Sequence, residues 1–240
     1  MRKLTQFALP VLATLVLTAS PSAASPQRDR YRDRDEGPKE TENVDRTVQI
    51  RAGGELRLKN FSGRVTITGS NRADMAVHAV RRAPRERLDR IKLEITEGSS
   101  GVTIEANKKA SDRDDDHNNV VDTEFTIEVP ADINVDVDVF SSDVEVRDVR
   151  GRQRVHTFSG EISLSGGEKD IRAETFSGDI NLKLVQGASA SVDFDSFSGS
   201  VKSDIPMTYR SASSKHIRAD IGAGGTDYSF KTFSGDVRIR

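Results

Sequence analysis

The sequence predicts an all-β fold, a single-domain β-solenoid with coils of about 18 residues. A Thr-Phe-Ser-Gly-acid string recurs at 157–161, 175–179 and 232–236. Apolar and polar residues alternate on both sides of each copy, which is typical of strands with one buried face. Polar or glycine-containing turns such as "GGEKD" (166–170) separate the copies. Repetition at a fixed period indicates stacked units, because one such unit cannot bury its apolar face alone.

The first 24 residues have the composition of a signal peptide. Arg2 and Lys3 precede an apolar run from Phe7 to Leu17, and small residues follow at 22–24. This order of basic, apolar and small residues is typical of a secretory signal. We therefore expect an exported protein, located in the periplasm, at the cell surface or outside the cell.

Residues 25–43 are predicted to be a disordered charged linker. The segment reads "SPQRDRYRDRDEGPKETEN" and contains almost no apolar side chain. Such a segment cannot bury enough surface to offset the entropy lost on ordering. The solenoid domain is predicted to occupy residues 44–240, where short β-branched runs begin.

An irregular insertion is predicted at 84–125. Pro84 is suited to the first position of a short helix over the following "RERLDR". Two alternating segments around "GSSG" (98–101) predict a hairpin. The segment 108–119, "KKASDRDDDHNN", is predicted to be a polar loop, and "TEFTIEVP" then resumes strand alternation.

The repeat is best aligned on its phenylalanines. Copies begin at Phe140, Phe158, Phe176, Phe197 and Phe233, with intervals of 18, 18, 21 and 36 residues, and an outlying copy begins at Phe61. A degraded copy with Ser213 in the phenylalanine position fits the long interval. Seven coils are expected.

Alternation predicts which repeat positions face the core. Counting from phenylalanine as position 0, we place positions 0, +2, +4 and +6 on the inner face, with a bend between −3 and 0. The rings would then form an internal ladder, and the glycines would leave room beside the rings or allow the backbone of the corner. The predicted structural core of the repeat is Phe61, Phe140, Phe158, Phe176, Phe197 and Phe233 with Gly63, Gly160, Gly178, Gly199 and Gly235.

Serine at +1 and the acid at +3 are predicted to face solvent. Asp143, Glu161 and Asp179 would form an acidic column on adjacent coils, and Asp138, Glu174 and Asp195 at −2 a second one, interrupted by His156. Like charges this close are destabilising unless they are neutralised. Neighbouring arginines and lysines are the favoured explanation, and calcium or a cationic partner are the alternatives.

No catalytic, cofactor-binding or metal-binding residue is assigned from the sequence. His78, His117, His156 and His216 lie at no metal-ligand or triad spacing. The Phe-Ser-Gly-acid string occurs in too many equivalent copies to mark one catalytic centre, so we expect a bend and not an enzyme. The segment 111–119 lacks the glycine and the closing glutamate of a calcium-binding EF-hand loop.

Composition excludes some partners. Lys and Arg number 36 against 38 Asp and Glu, a net charge of −2, whereas a nucleic-acid binder shows a basic excess. No transmembrane segment is expected in the mature chain, and the absence of cysteine excludes disulfides. The C-terminal "DVRIR" is expected to end the stack with an unpaired edge that could self-associate or accept a partner strand.

The repeats resemble the bacterial putative-adhesin family of unknown function, whose toast-rack-like domains are β-solenoids. The resemblance rests on Ser-Gly-acid-Val/Ile at 159–162, 177–180 and 234–237, on "IEVP" before the repeats, and on the closing "RADIGAGGTDYSFKTFSGDVRI". The copies at 140 and 197 depart from the pattern at Ser142 and Ser200. The family implies an extracytoplasmic location and contributes no catalytic residues.

The favoured function is an exported, non-enzymatic module for binding, adhesion or scaffolding at the cell envelope. Its ligand would be an envelope protein or a glycan. The alternative is a soluble envelope-stress or regulatory component that binds a membrane protein. A polysaccharide-acting enzyme that uses surface carboxylates is the third hypothesis.

Overall fold

The structure, a computed structural model, describes residues 38–109, 120–213 and 215–240, and most of them lie in strands. The predicted signal peptide, most of the predicted linker and residues 110–119 of the predicted loop fall outside the described residues. The elements are β1 (Lys39–Gln49), β2 (Glu55–Ser70), β3 (Asp74–Pro84), α1 (Arg85–Arg90), β4 (Ile91–Glu97), β5 (Gly101–Lys109), β6 (Asp122–Pro130), β7 (Asn134–Val149), β8 (Gln153–Ser159), β9 (Ile162–Gly166), β10 (Ile171–Ser177), β11 (Ile180–Leu184), β12 (Ala190–Ser198), β13 (Val201–Ser203), β14 (Met207–Ala212), β15 (His216–Ile221), β16 (Thr226–Ser234) and β17 (Val237–Ile239).

The strands form one 17-stranded sheet that bends at the Phe-Ser-Gly corner of each coil. Strands before the corner form the first half-sheet, in the order β4-β5-β2-β7-β8-β10-β16-β12-β15-β14. Strands after the corner form the second half-sheet, in the order β1-β3-β6-β2-β7-β9-β11-β17-β13. The coils pair in parallel from β2 to β12, which confirms the all-β solenoid.

The coils do not stack in sequence order. β16 pairs in parallel with β10 on one side and with β12 on the other, and β17 lies in the same way between β11 and β13. The last coil of the chain is therefore an inner coil of the stack. The prediction that the C-terminal strand ends the stack with an unpaired edge is wrong, because the chain returns to pair there.

The segment before that last coil is a hairpin and not a coil. β14 and β15 pair antiparallel, and β15 runs antiparallel to β12. The expected seventh coil with Ser213 in the phenylalanine position is therefore wrong. Ser213 instead lies in the hairpin turn, where its backbone N–H donates to the carbonyl of His216 at 2.8 Å.

The insertion at the other end contains the predicted helix and hairpin. α1 follows Pro84, and β4 pairs antiparallel with β5 across the "GSSG" turn.

β1 begins at Lys39 and pairs along its whole length with β3, so the predicted disorder of 39–43 is wrong. Polar residues are ordered there because β3 supplies backbone partners, which composition cannot reveal. Within the described ranges α1 is the sole helix, and no helix there could span a membrane.

The core lies between the two half-sheets and is mostly aliphatic. Each coil contributes positions −5 and −3 from its first strand and +4 and +6 from its second, for example Ile171, Ala173, Ile180 and Leu182, all at most 1% exposed. Position −1 is also buried, and it is occupied by Asn60, Val139, Thr157, Thr175, Ser196 and Thr232.

The phenylalanines at position 0 lie outside the core, so their assignment to the core is wrong. Phe61, Phe140, Phe158, Phe176, Phe197 and Phe233 are each 40–60% exposed. The inner face continues through position −1, and the alternation breaks only at the Ser-Gly corner. A threonine at −1 looks polar in the sequence, and an inward-facing threonine next to an outward-facing phenylalanine reverses the usual preference.

Candidate functional site: an exposed phenylalanine ladder

Six phenylalanine rings form a continuous ladder along the outer corner of the stack. The order is Phe61, Phe140, Phe158, Phe176, Phe233 and Phe197, with neighbouring ring centroids 4.6–4.9 Å apart. The planes of neighbouring rings lie within 16° of parallel. The spacing equals the distance between adjacent strands, so the parallel register itself sets the stacking.

Glycine at position +2 makes the corner. Gly178 has φ +149°, and a Cβ there would lie 2.1 Å from the carbonyl oxygen of Gly160 on the neighbouring coil. Both the backbone angle and the close approach of the next coil therefore require glycine. Gly63, Gly160, Gly199 and Gly235 meet the same kind of backbone obstruction, at 2.0–2.1 Å. The repeated string is thus a corner that carries a ring on its outer side.

The ladder presents ring edges to solvent and not ring faces. Each inner ring has a neighbouring ring stacked on both faces, and Lys215 Nζ lies 4.5 Å from the ring centroid of Phe197 at one end. A Phe side chain offers 150–250 Å², so six rings at 40–60% exposure leave roughly 500 Å² of apolar surface. That is at the upper end of the patches found on monomeric proteins, and patches of this size are often functional.

A column of acidic and basic side chains flanks the ladder at position −2. Its order across the strands is Asp138, His156, Glu174, Lys231, Asp195 and His216. His156 Nδ1 lies 3.0 Å from Asp138 Oδ1, and Lys231 separates the two acids that the sequence placed side by side. The predicted −2 acidic column is therefore interrupted by Lys231 as well as by His156, because the last coil inserts between its neighbours.

The predicted acidic column at +3 exists and has structural partners. Asp143 Oδ1 accepts the backbone N–H of Glu161 at 3.0 Å, and Asp179 Oδ1 accepts that of Asp236 at 2.8 Å. Glu161 accepts hydrogen bonds from Ser163 and Asn181 instead. The carboxylates thus satisfy backbone and side-chain donors between coils, which is reason enough for their repetition without a bound cation.

Asp236 continues this column, and its surroundings favour the ionised carboxylate. Lys202 Nζ lies 3.0 Å from its Oδ2, and both the backbone N–H and the hydroxyl of Ser200 donate to its Oδ1. The hydrogen bond from Lys202, followed by those from Ser200, lowers the pKa of the Asp236 carboxyl below its usual value. Sequence analysis missed this residue as a column member, because the last coil was placed at the end of the stack.

One cluster has the residue types of a metal site. Asp193, Asp195 and His216 each offer a ligand atom, and these atoms lie within 4.8 Å of one another. His216 Nδ1 already pairs with Asp195 at 2.7 Å, and Arg218 Nε pairs with Asp193 Oδ2 at 3.0 Å. Both aspartates therefore already have side-chain partners within the protein. No local pattern in the sequence indicates this cluster, because the antiparallel hairpin brings His216 beside β12.

A groove of about 570 Å³ crosses the outer face of the second half-sheet. Its lining includes both acidic and basic side chains, among them Glu161, Asp179, Lys183, Arg238 and Arg240. A nucleophile or a general base needs one reactive group whose surroundings differ from those of the equivalent residues in the other coils. Here the acids are engaged with neighbouring coils as described above, so the groove offers polar binding contacts.

Three comparisons relate this geometry to known proteins. Residues 126–240 match the family model described as Toastrack DUF4097. No curated protein is similar enough in sequence to count as a match.

One of the solved structures shares the fold of this chain. A putative cell adhesion protein from Clostridium sporogenes aligns with a TM-score of 0.58 at 10% identity, covering 82% of this chain and 99% of that chain. A putative adhesin from Bacteroides fragilis aligns with a TM-score of 0.37 at 10% identity, covering 83% and 97%. The similarity to the Clostridium sporogenes protein shows a shared fold and nothing about function. The TM-score to the Bacteroides fragilis protein is below the range that indicates a shared fold. With its repeats, its parallel coils and its match to the family model, the chain carries a Toastrack DUF4097 domain over residues 126–240.

Proposed function

We propose that this protein is an exported, non-enzymatic binding module of the cell envelope, and that it contacts a protein partner through the phenylalanine ladder. The observation that carries the proposal is the unbroken line of six exposed rings. Exposed rings cost solvation free energy in an isolated protein, and a partner that covers them would recover it. Adhesion or scaffolding follows from this contact.

A protein partner fits the ladder better than a neutral glycan does. Sugars pack their C–H groups on the faces of aromatic rings, since these faces carry the negative part of the ring quadrupole. In this ladder the faces of the inner rings are occupied by neighbouring rings, and solvent reaches only their edges. An apolar stripe bordered by acidic and basic side chains matches the mixed apolar and polar character of protein interfaces.

The regulatory role remains the second candidate, in which the same stripe binds one membrane protein. It is favoured by the acidic and basic side chains beside the ladder, whose fixed order suits a single complementary partner. The name of the Clostridium sporogenes structure supports the adhesion form of the proposal. A polysaccharide-acting enzyme is the least favoured alternative, because the predicted carboxylates are engaged between coils.

The proposal is tested with a double variant, Phe158→Ser with Phe176→Ser, in a retention assay on envelope fragments from the source bacterium. Removing two central contact residues is expected to weaken retention at least about tenfold. Val185→Ser is the matched control, since Val185 is 47% exposed but lies outside the ladder. Circular dichroism establishes that all variants remain folded.

Treatment of the fragments separates the alternatives. Protease is expected to abolish retention, whereas periodate oxidation of glycans is expected to leave it intact. Chemical crosslinking of the retained protein to the fragments separates the two roles. A single crosslinked product of fixed stoichiometry would favour the regulatory role. Unchanged retention of the double variant, or loss only after periodate, would contradict binding of a protein by the ladder.

A further inference from the structure

The two half-sheets end unequally at one end of the stack. In the first half-sheet β12 is followed by β15 and β14, whereas in the second the last strand is β13. Among the described residues β13 pairs only with β17, and β14 pairs only with β15. We call β13, β14 and the connection 204–206 the open end. It offers two strand edges with unpaired backbone groups.

The inner face of the first half-sheet loses its cover toward this end. Val192, Ala219 and Tyr209 are cross-strand neighbours and therefore share the inner face. Val192 and Ala219 are at most 1% exposed, but Tyr209 is 55% exposed. Coverage falls because the second half-sheet has no strand opposite β14.

The connection across the open end covers the core only in part. Ile205 packs against the core cluster, and the Ser203 hydroxyl fixes it by donating to its carbonyl at 2.7 Å. Ile205, Val201 and Met207 each remain partly exposed. Stacked repeats need a polar terminal unit to remain single, and this terminal unit leaves several apolar side chains partly exposed.

The charges at the open end lie beside opposite charges. Lys202 contacts Asp236 at 3.0 Å, and Arg210, the one charged residue of β14, contacts Asp220 at 3.0 Å. Asp204, in the connection, lies 4.0 Å from Arg240. The edge strand at the opposite end, β1, is denser in charge, because five of its eleven residues are charged against one of six in β14. A charge-dense edge resists pairing, while a neutralised edge can meet an identical edge without repulsion.

We propose that the open end is a self-association surface, at which a second copy of this chain docks by the same end. Antiparallel pairing of β14 with β14 of the second copy places each Tyr209 against apolar surface and supplies partners to the free backbone groups. Such a contact is two-fold and uses the same patch on both copies, so it closes at a dimer. The β14 edge is expected to pair with the β14 edge of the second copy and not with β1, because the charged residues of β1 are a poor match for an edge with few charges.

The first test measures mass in solution by light scattering across a concentration series. The wild-type protein is expected to form a dimer, and Tyr209→Lys is expected to be monomeric. Val185→Lys is the matched control, because it places the same charge at an exposed apolar position away from the open end, and it is expected to remain dimeric. A monomeric wild type at all concentrations, or larger species that grow with concentration, would overturn the proposal.

The second test uses the absence of cysteine from the natural chain. Of Thr208→Cys and Ser211→Cys, each alone in β14, the one nearer the two-fold axis is expected to form disulfide-linked dimers under mild oxidation, because antiparallel pairing brings only residues at the axis within disulfide distance of their own copies. Thr41→Cys, in the charged edge strand β1, is the control and is expected to remain unlinked. Equal crosslinking of all three would indicate random collision and would refute the assigned end, even if Tyr209→Lys proved poorly folded.

Discussion

At the scale of the residue, position in the coil decides the role of a phenylalanine. Phe176 at position 0 is 45% exposed, whereas Phe230 at −3 is fully buried. The first interacts chiefly with two stacked rings, and the second fills the space between the half-sheets. The same side chain therefore serves a surface ladder in one place and the core in another.

Substitution of these two residues by alanine should have unequal effects. Phe230→Ala is expected to lower the free energy of unfolding by about 3–5 kcal/mol, as for a buried aromatic residue. Phe176→Ala is expected to lower it by about 1–2 kcal/mol, because two stacking contacts are lost at a half-exposed site. Urea unfolding measures both values. Equal losses would contradict the outward placement of the ladder.

The corner glycine should tolerate no side chain. Gly178→Ala is expected to cost roughly 3 kcal/mol or more, because strain at φ +149° adds to a collision with the carbonyl of Gly160. Gly187→Ala is the matched control: its φ is +81°, but no atom lies within 4 Å of the added Cβ. We expect about 1–2 kcal/mol there, from backbone strain alone. Thermal or urea denaturation checks the difference, and similar costs would argue against close coil approach.

At the scale of the element, side chains at +3 link one coil to the next through backbone N–H groups. In this column the pKa of the Asp236 carboxyl is lowered, by the hydrogen bond from Lys202 first and then by those from Ser200. A carboxyl with a lowered pKa in the folded state adds stability above its unfolded pKa. That contribution is lost as the pH falls through the lowered value.

Acidification should therefore weaken the contact between β13 and β17. The free energy of unfolding is expected to fall as the pH drops below about 4, the usual range of an aspartate. Asp236→Asn should make this fall shallower, and Lys202→Met should shift it to higher pH by removing the main cause of the lowered pKa. Urea titrations between pH 7 and pH 2.5 measure these slopes. An unchanged slope in Asp236→Asn would contradict the assignment.

At the scale of the whole molecule, the chain terminus is an inner part of the stack. β16 and β17 have a parallel partner on each side, whereas β14 has one partner and is exposed at nearly every position. Local opening depends on the number of contacts that must break. Stability should therefore follow position in the stack and not position in the sequence.

Hydrogen exchange can test this order. Backbone amides of Phe230 and Val237 are expected to exchange as slowly as those of β10, although they lie near the C terminus. Amides of β14 are expected to exchange fastest among the strands of the first half-sheet. Rapid exchange at Val237 would contradict insertion of the last coil between its neighbours.

Local patterns in the sequence predicted the class of fold, the two short strands of each coil and the outward acids. Alternation and an 18-residue period are local properties, but they placed the bend between −3 and 0, whereas it lies at Gly160 and Gly178. The insertion was also recognisable, because Pro84 and the "GSSG" turn are local signals. A ladder of phenylalanines could be predicted, since equal positions of stacked coils must lie one strand spacing apart.

Tertiary structure alone decided which way the ladder faces and which coils are neighbours. From the sequence, the point at which inward and outward side chains stop alternating could lie before Phe176 or after Ser177. Thr175 is buried and Phe176 is exposed, so the alternation continues through both residues and breaks at Gly178. Any coil of the same shape can pair with any other, so the sequence could not place the coil of Phe233 between those of Phe176 and Phe197. Periodicity specifies the form of each coil, while the order of the stack depends on contacts between residues far apart in the chain.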